Sequence, residues 1–296
     1  MPELPDVTVY VEALAARVQG HTLQRVTLSS PFLLRSAEPP LAATFGQRVV
    51  AVRRLGKRIA IGLENGLWLV LHLMIAGRLH WFGQGKRRSG RRALAVFEFD
   101  NGALTLTEAG TQRRASLHVV SAAALGEHER GGLEILEASA PEFVQRLRSQ
   151  NHTLKRALTD PRLFSGVGNA YSDEILHTAR LSPVTLTQRL SDEEVARLQA
   201  ASVAVLQRWT ERLRGEAGGA FPEGVTAFRE GFAVHGRFRK KCPVCATEIQ
   251  RIRYASNETN YCPRCQTEGR ILADRSLSRL LKDDWPRSIE ELESER

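Results

Sequence analysis

The chain has 296 residues, which is long enough for two domains with cores of their own, because domains usually run to ~100–200 residues. Its 42 Lys and Arg against 33 Asp and Glu give a net charge of +9, which favours a polyanionic partner, either nucleic acid or an acidic membrane surface. No apolar run reaches the ~18–20 residues of a membrane span, and the first residues lack a signal-peptide pattern, so an intracellular protein is expected.

The N-terminus offers a nucleophile. If Met1 is removed, as the small Pro2 behind it allows, the new terminus is a secondary amine with Glu3 beside it. Such an amine can attack an electrophilic sugar carbon and go on to an iminium ion. Alternatively, Pro2 only opens a helix predicted from Pro5 to Gly20, where apolar residues lie at helical spacing: Val7, Val11, Leu14 and Val18. The positive end of that helix is expected to lower the pKa of the nearby amine.

A β-rich region follows the first helix. Two Asn-Gly pairs, at Asn65 and Asn101, supply the positive φ angles of tight hairpins. Many short strands after one helix favour a sandwich or barrel over a parallel sheet. Lys57 lies at a predicted hairpin tip, where a solvated basic turn is an equal alternative. The predicted strands cover residues 22–28, 47–54, 58–64, 67–73, 93–99, 104–107 and 114–120.

Helical periodicity begins after about residue 130. Residues 139–142 and 191–194 both have capping-box form, with an acidic side chain three residues after a serine. The second box opens a helix predicted to end at Gly215. Because residues 215–224 are rich in glycine, they are predicted to form a linker.

A glycine-containing turn lies between the two boxes. A helix around residues 154–158 breaks at Pro161, and helical spacing resumes after the sequence Gly-Val-Gly that precedes Asn169. Glycines before a helix expose backbone N–H groups at its positive end, which suits a phosphate group. Gly-x-Gly is also common in ordinary turns, so this pattern alone leaves both interpretations open.

The four cysteines form two C-x-x-C pairs, Cys242 with Cys245 and Cys262 with Cys265. The spacing between the pairs is typical of a zinc ribbon, and four thiolates leave no open coordination position, so one structural zinc ion is predicted. The surrounding hairpin is rich in cations, which favours nucleic acid over membrane. These cations are Arg237, Arg239, Lys240, Lys241, Arg251, Arg253 and Arg264.

The N-terminal Pro-Glu, the hairpin lysine, the Gly-Val-Gly-Asn turn and the four-cysteine hairpin occur in one order along the chain. In that combination the sequence resembles the formamidopyrimidine-DNA glycosylase/endonuclease VIII family from Pro2 to Gln266. The resemblance implies an α+β multidomain fold, with an N-terminal β-sandwich and flanking helix, a helix–two-turn–helix domain and a zinc hairpin. It implies domains at 1–130, 131–224 and 225–296, the last including a helical tail.

The resemblance also implies roles for individual residues. Pro2 looks like the nucleophile that attacks C1′ of the damaged nucleotide, Glu3 like the proton donor that opens the sugar, and Lys57 like the lysine that contacts phosphate and assists the attack. Asn169 is similar to the phosphate-binding asparagine of the family, and Lys155 lies where the family has another basic residue near the target nucleotide. Four further residues are predicted to contact DNA: Gly168, Arg113, Arg114 and Arg253.

This chain departs from the family pattern in the segments that the family uses to recognise lesions or to bind DNA. Asp6 replaces the usual glutamate after the second proline, and the usual wedge segment keeps Arg113 and Arg114 without an aromatic residue. Asn257 replaces the zinc-finger arginine, for which Arg253 is the candidate substitute. The loop that caps oxidised purines in one branch of the family is short here. Any gap-filling role after base flipping would pass to Ile75 or Met74.

The resemblance implies a base-excision repair enzyme that acts on double-stranded DNA carrying oxidised bases or abasic sites. It would remove the oxidised base as a DNA glycosylase and then cleave the strand as a lyase, by β/δ-elimination through a Schiff base on Pro2. A cytoplasmic monomer is expected, associated with the nucleoid in a bacterium. Two alternatives remain: a catalytically inactive protein that binds damaged DNA, and a zinc-ribbon RNA-binding or transcription factor. The zinc-ribbon alternative explains residues 237–265 but assigns no function to the first 180 residues. The sequence does not separate oxidised purines from oxidised pyrimidines as substrates.

Overall fold

A computed structural model describes residues 1–86, 92–109, 113–223, 225, 229–254, 257–274 and 286–294. The chain divides into two compact units. Unit 1 comprises Met1–Arg130 and Arg208–Ala227, and unit 2 comprises Gly131–Gln207 and Phe228–Arg296. The three segments expected from the sequence remain a prediction. In the described ranges, no helix combines the length and apolar character that crossing a membrane requires.

Unit 1 consists of a helix and a sheet. Helix α1, Leu4–Val18, packs Val7, Leu14 and Val18 into the core, and Gly20 after it has a φ of +84°. Eight strands follow: β1 Thr22–Leu28, β2 Gln47–Leu55, β3 Arg58–Leu63, β4 Leu67–His72, β5 Gly77–Gly83, β6 Ala93–Phe99, β7 Gly102–Glu108 and β8 Ser116–Ser121.

The strands are hydrogen-bonded in the order β5-β7-β6-β1-β2-β3-β4-β8, and every neighbouring pair is antiparallel. Only two residue pairs join β1 to β2, Thr22 with Arg48 and Leu23 with Gln47, so the sheet has two four-stranded halves. Both halves contribute buried residues to one core, for example Phe97 from β6 and Leu69 from β4. This arrangement confirms the predicted β-sandwich with its flanking helix.

Two parts of unit 1 differ from the sequence predictions. Strand β5 was not predicted, although Arg78, Leu79, His80 and Trp81 alternate between polar and apolar side chains. The predicted linker at 215–224 is in part helix and in part packed chain: the side chain of Phe221 is 8% exposed and lies in the core. Arg17 donates a hydrogen bond to the carbonyl of Gly219 (3.0 Å), which also holds this segment to unit 1.

The helices of unit 2 follow the predicted signals closely. Helix α2, Ala140–Arg148, begins after the capping box of Ser139, and α3 is Leu154–Thr159. Helix α4, Asn169–Ala179, begins after Gly168 as its N-cap residue. Helix α5, Asp192–Ala217, starts in unit 2, ends in unit 1 and runs two residues beyond the predicted end at Gly215.

The rest of unit 2 is a hairpin with short helices. Strands β9, Gln250–Tyr254, and β10, Asn257–Tyr261, pair in antiparallel fashion, and α6, Pro263–Thr267, follows directly. Helix α7 is Ile289–Ser294, and the backbone N–H of Ile289 donates a hydrogen bond to the carbonyl oxygen of Gly269 (3.0 Å). An amphipathic helix predicted from Leu277, Leu280 and Leu281, with Trp285 docking it, lies outside the described residues.

Candidate active site and metal centre

The chain start is buried at the beginning of α1. Pro2 is buried, and the side chains of Glu3 and Asp6 are each 2% exposed. Glu3 is the N-cap residue, with extended backbone angles, and its N–H donates to the carboxylate of Asp6 (2.8 Å). Because this N–H belongs to the peptide that follows Pro2, the hydrogen bond fixes the orientation of the Pro2–Glu3 linkage. Asp6 therefore orients the peptide that follows Pro2, although its side chain is one methylene shorter than that of glutamate.

The amine of Met1 has an environment that disfavours its charge. Burial lowers its pKa below the ordinary value, and the cations Arg78 and Lys57 lower the pKa further, while Glu3 and Asp6 oppose them. The sequence-based expectation concerned the amine of Pro2 after removal of Met1, and it stays a prediction. The environment of Met1 also identifies Arg78, which the sequence did not reveal, as a cation that acts on the chain start.

Lys57 lies at the tip of the β2–β3 hairpin, as predicted. The strands pair up to Leu55 and Arg58, leaving Gly56 and Lys57 as the two turn residues. Gly56 has a φ of +60°, and Arg54 donates to its carbonyl oxygen (3.1 Å). The turn conformation thus depends on a glycine that adopts the left-handed region without a steric penalty.

A tight turn between β4 and β5 presents Ile75, whose side chain is 62% exposed. Met74 has a φ of +52°, which is uncommon for a residue with a side chain. A Cβ atom on Gly77 would lie 2.2 Å from the carbonyl oxygen of Leu73, so only glycine fits there. This backbone holds an apolar side chain in solvent at a defined position.

The segment with Arg113 and Arg114 is held beside that turn. Glu108, at the end of β7, is 4% exposed and accepts hydrogen bonds from the N–H groups of Arg114 (3.0 Å) and Ala115 (3.2 Å). Glu108 also pairs with Gly77 in the sheet register. The structure therefore brings the exposed arginines and the Ile75 turn to the same end of β5 and β7, a relation that the sequence does not show.

In unit 2, the predicted phosphate-binding residues surround the start of α4. Lys155 donates hydrogen bonds to the carbonyl of Asn169 (2.7 Å) and to the carboxylate of Asp173 (2.5 Å). The side-chain amide of Asn169 donates to the carbonyl of Glu258 on β10 (2.8 Å). Asp173 is fully buried, and it also accepts from His235 (2.7 Å). One carboxylate thus orients two side chains that lie 80 residues apart in the sequence.

Glu174, the next residue on α4, is 2% exposed and joins the helix to a loop. Its carboxylate accepts the consecutive N–H groups of Ala233 (2.7 Å), Val234 (2.9 Å) and His235 (2.9 Å). Burial raises the pKa of Glu174, and the three N–H donors oppose that shift. The sequence analysis missed Asp173 and Glu174. Two adjacent carboxylates directly before the apolar pair Ile175 and Leu176 were the available signal.

Arg253 lies on β9, directly opposite Glu258 on β10. Its side chain is 62% exposed, with its Nε 3.9 Å from the Glu258 carboxylate. The backbone N–H of Arg253 donates to the buried carboxylate of Asp274 (2.6 Å), which fixes the strand end. The proposed replacement of Asn257 by Arg253 remains a prediction.

The four cysteines converge as a metal site requires. Their sulfur atoms all lie within 4.8 Å of one another, and Cys245 and Cys262 are 3.4 Å apart. Tetrahedral zinc with Zn–S bonds of ~2.3 Å places its sulfur atoms ~3.8 Å apart, so the four residues fit that ion. Burial raises the pKa of the Cys262 and Cys265 thiols, so a bound cation is needed to hold them as thiolates.

His177 on α4 contacts this cluster. Its Nε2 lies 3.3 Å from the sulfur of Cys242, and its side chain is buried. Burial, assisted by Arg180, lowers the pKa of His177 to about 4, so the imidazole is neutral at pH 7. A neutral imidazole can donate its N–H to a thiolate, and such contacts orient metal ligands. The sequence analysis missed His177, because a lone histidine in a helix carries no local signal.

Comparisons with known proteins agree with this architecture. Residues 1–116 match the formamidopyrimidine-DNA glycosylase N-terminal domain, residues 134–217 its H2TH domain, and residues 239–267 the zinc finger found in that enzyme and in isoleucyl-tRNA synthetase. These matches define the class: a DNA repair glycosylase with a zinc finger. Residues 268–296 lie beyond the three matched segments.

Full-length relatives make the assignment specific. The formamidopyrimidine-DNA glycosylase of Pelotomaculum thermopropionicum is 32% identical over 276 residues, covering 90% of this chain and 99% of the relative. That of Thermus thermophilus is 34% identical over 278 residues, covering 91% and 100%. The chain belongs to the formamidopyrimidine-DNA glycosylase family.

Solved structures show that the fold is shared. The Lactococcus lactis enzyme in complex with a Fapy-dG-containing DNA superposes with a TM-score of 0.79, at 22% identity, covering 90% of this chain and 100% of that one. The same enzyme in complex with an oxidised-pyrimidine-containing DNA gives a TM-score of 0.78 at 23% identity, again covering 90% and 100%.

Proposed function

We propose that this protein removes oxidised bases from double-stranded DNA and then cleaves the strand at the resulting abasic site through a Schiff base on Pro2. Family membership supports the glycosylase activity in base-excision repair. The observation that carries the lyase step is the buried chain start, where Glu3 and Asp6 fix the backbone after Pro2 and burial lowers the pKa of the Met1 amine, one residue before Pro2. A neutral amine is the nucleophilic form.

The chemistry follows from that arrangement. The Pro2 nitrogen attacks C1′, the bond from C1′ to the base breaks, and the departing base takes a proton from solvent. Glu3 then donates a proton to the ring oxygen, the sugar opens, and the nitrogen loses its proton to form an iminium ion. The iminium acidifies the C2′ hydrogens, so loss of a C2′ proton expels the 3′ phosphate and a second elimination expels the 5′ phosphate. Hydrolysis of the remaining C–N bond regenerates the amine.

The DNA-contacting residues have separate tasks in this proposal. A base inside a duplex cannot present C1′ to an amine, so the nucleotide must flip out at a cost of a few kcal/mol. Ile75 would fill the gap with its exposed side chain, next to Arg113 and Arg114. Lys57 would contact the phosphate beside the reacting sugar, and Lys155 on α3 and Asn169 on α4 would each contact a DNA phosphate as well.

One structural zinc ion would be held by the four cysteines, since their fit to tetrahedral coordination is good. When bound, it supplies a cross-link that fixes the β9–β10 hairpin with its cations. We further propose that the protein acts as a monomer in the cytoplasm, where the reducing conditions keep the thiolates available for the metal.

Borohydride trapping tests the proposed reaction. Protein with Met1 removed is incubated with duplexes that carry 8-oxoguanine, a ring-opened purine, an oxidised pyrimidine or an abasic site. A covalent adduct on the abasic duplex is expected, with the modified peptide mapping to Pro2. Trapping on the other three duplexes identifies the preferred lesion. Tight binding to damaged DNA without any adduct would instead identify a lesion-binding protein that lacks the chemistry.

The role of Asp6 gives a further prediction. Asp6→Ala is expected to destabilise the protein by about 0.5–2 kcal/mol, the usual cost of losing a helix cap, and to slow trapping about tenfold because the Pro2–Glu3 peptide is released. Asp6→Asn keeps an acceptor oxygen and should retain most of the trapping rate. Thermal unfolding and single-turnover trapping are the measurements.

A matched control exists on α2, where Glu142 accepts hydrogen bonds from the N–H (2.8 Å) and hydroxyl (2.6 Å) of Ser139 in the same kind of capping box. Glu142→Ala should lower stability by a similar amount and leave trapping unchanged. If Asp6→Ala and Glu142→Ala slow trapping equally, general destabilisation explains the effect and Asp6 has no positioning role.

A further inference from the structure

The chain continues beyond the zinc hairpin, and the reaction proposed above uses none of the residues that follow. The described part of this tail consists of residues 269–274 and 286–294, which lie beyond the three matched segments. Three apolar side chains of the tail are buried, namely Ile271, Leu272 and Ile289. Because burial of apolar side chains stabilises a terminal segment that would otherwise be poorly ordered, the tail is part of the folded structure of unit 2.

The two ends of the tail are hydrogen-bonded to each other. The N–H of Ile271 donates to the carbonyl oxygen of Arg287 (2.9 Å), and the N–H of Ile289 donates to the carbonyl oxygen of Gly269 (3.0 Å). The residues just after the zinc hairpin are therefore held by a second piece of chain, which gives their backbone a defined position. We call residues 269–274 the strap.

The strap contacts the hairpin at both of its ends. Tyr261, at the end of β10 next to the cysteines, is fully buried, and its hydroxyl accepts the N–H of Leu272 (2.7 Å). Two residues further along the strap, the buried carboxylate of Asp274 accepts the N–H of Arg253 on β9 (2.6 Å). Arg253 lies three residue pairs beyond the pair of Gln250 with Tyr261, which is about 10 Å along the strand. The strap therefore connects the cysteine end of the hairpin to its far end.

The far end of the hairpin is held from both sides. The hairpin has two strands, so each strand has an outer edge whose N–H and C=O groups are not bound by the other strand. Helix α4 binds the outer edge of β10, where Asn169 donates to the carbonyl of Glu258 (2.8 Å). Asp274 binds the outer edge of β9 at Arg253, directly opposite Glu258. A two-stranded hairpin is marginally stable by itself, and the metal would hold its opposite end, so the far end depends on these outer contacts.

The two arginines of β9 differ in how their side chains are held. The guanidinium carbon of Arg251 lies 4.1 Å from the centroid of the Phe238 ring, and its Nη1 is 3.1 Å from the carboxylate of Glu258. The side chain of Arg253 is 62% exposed, and its Nε is 3.9 Å from the same carboxylate. The direction of the Arg253 side chain therefore depends mainly on the backbone that carries it, and Asp274 fixes that backbone.

From this geometry we infer that Asp274 is a positioning residue for DNA binding: by holding the outer edge of β9, the strap gives the side chain of Arg253 a fixed direction towards the DNA backbone. The inference rests on the proposed function and extends it to the tail. A cation with a fixed direction loses less conformational entropy on contact with a phosphate than a cation on a mobile strand end. The strap takes no part in the chemistry at the sugar, so its loss should weaken DNA binding without slowing the reaction of bound DNA.

Charge and positioning predict opposite effects of Asp274→Ala on DNA affinity. The substitution removes a carboxylate from a cationic hairpin, which by charge alone would strengthen binding to a polyanion. Positioning predicts weaker binding, because the N–H of Arg253 loses its acceptor. Asp274→Asn separates the two effects, since it removes the charge but keeps an acceptor oxygen. The affinity of Asp274→Asn protein for DNA should equal or exceed that of the parent.

A double-mutant cycle with zinc-loaded, full-length protein tests the inference. The dissociation constant for a duplex with a non-cleavable abasic analogue is measured for the parent, Asp274→Ala, Arg253→Ala and the combined variant. Arg253→Ala is expected to weaken binding about tenfold, with a slope of log affinity against log salt that is smaller by about one. Asp274→Ala should weaken binding about threefold to fivefold. The combined variant should bind like Arg253→Ala, because the strap then has no arginine to position.

Ser288 provides the matched control in the tail. Its hydroxyl accepts the N–H of Glu291 within the tail itself (3.2 Å), so Ser288→Ala should leave DNA affinity unchanged. Hydrogen exchange of the DNA-free parent gives a second reading that needs no variant: the amide of Arg253 should be protected although it lies on the outer edge of β9. The rate of borohydride trapping at saturating abasic DNA should be the same in Asp274→Ala and parent protein.

Several results would overturn the inference. Unchanged or tighter DNA binding by Asp274→Ala would do so, as would rapid exchange of the Arg253 amide in the parent. Additive effects in the cycle would show that Asp274 acts on the hairpin as a whole. A loss of zinc affinity in Asp274→Ala as large as its loss of DNA affinity would assign Asp274 to the stability of the metal site.

Trapping separates this inference from the proposed function. Normal trapping by the parent and the variants, together with unchanged DNA affinity in Asp274→Ala, would refute the positioning role alone. A parent protein that shows the expected cycle but forms no adduct would refute the Schiff-base reaction and leave the role of the strap in place. Failure of the parent to bind DNA would refute both.

Discussion

Pro2→Thr protein is expected to lose covalent trapping on abasic DNA and to cleave the strand at least about a hundredfold more slowly than the parent. Threonine still allows removal of Met1, so the variant keeps a terminal amine in the same place. It lacks the ring that fixes the direction of the nitrogen lone pair, and displacing a reacting atom by about 1 Å costs on the order of a hundredfold. The iminium ion formed by a primary amine also keeps an N–H proton and can lose it to become a neutral imine, a weaker electron acceptor, whereas the iminium ion of a secondary amine has no such proton.

Pro5→Ala is the appropriate control for that variant. Pro5 lies in the first turn of α1, three residues after Pro2, and has no part in the chemistry. Its replacement should change thermal stability slightly and leave the yield of trapped adduct unchanged. Both rates are measured under single-turnover conditions with Met1 removal verified by mass spectrometry. Equal rates of strand cleavage by Pro2→Thr and parent protein would refute the Schiff-base proposal. The protein would then be one that binds DNA without this chemistry.

Signals that act within a few residues of the chain predicted much of this structure. The capping boxes before α2 and α5, the Asn-Gly turns and the two C-x-x-C pairs each determine a local conformation, and the structure has the expected element at each place. The departure at Asp6 is also explained locally, because a carboxylate three residues after the N-cap residue closes a capping box.

Features that depend on distant partners were not predictable in this way. Phe221 has the sequence context of a linker, yet it packs beside Tyr10 with 5.7 Å between ring centroids. Glu223 pairs with His80 on β5 (2.7 Å), and nothing near either residue in the sequence indicates the other. Asp173 likewise gains its role only when α3, α4 and the loop at His235 come together. A single sequence does not show which distant residues come into contact.

Polar contacts connect the four-cysteine cluster and its hairpin to α4. His177 contacts Cys242 (3.3 Å), Asn169 donates to the carbonyl of Glu258 (2.8 Å), and the N–H of Asn260 donates to the carboxylate of Asp173 (3.2 Å). The helix that carries the proposed phosphate-binding asparagine is therefore bonded to the hairpin that the metal would hold. Loss of the metal should therefore weaken both parts of unit 2 that we propose to contact DNA.

Removal of zinc is accordingly expected to lower DNA affinity by about a thousandfold while unit 1 stays folded. Structural zinc contributes about 10–16 kcal/mol to the folding of zinc-finger peptides, so the hairpin has no comparable replacement for it. Cys262→Ser should have the same effect as a chelator. Hydrogen exchange is the decisive measurement: protection should fall in β9, β10 and the first turn of α4, and persist in the strands of unit 1.

His177→Phe tests whether the contact with Cys242 matters to the metal itself. Phenylalanine fills the buried space but cannot donate to a thiolate, and losing such a partner typically weakens metal binding ten- to a hundredfold. Zinc affinity by chelator competition should fall by that factor, whereas Thr178→Ala, at the exposed neighbouring position on α4, should leave it unchanged. Equal zinc affinity in His177→Phe and parent protein would mean that His177 only packs against the cluster. The hydrogen bonds of Asn169 and Asp173 would then be the polar link between hairpin and helix that matters to DNA binding.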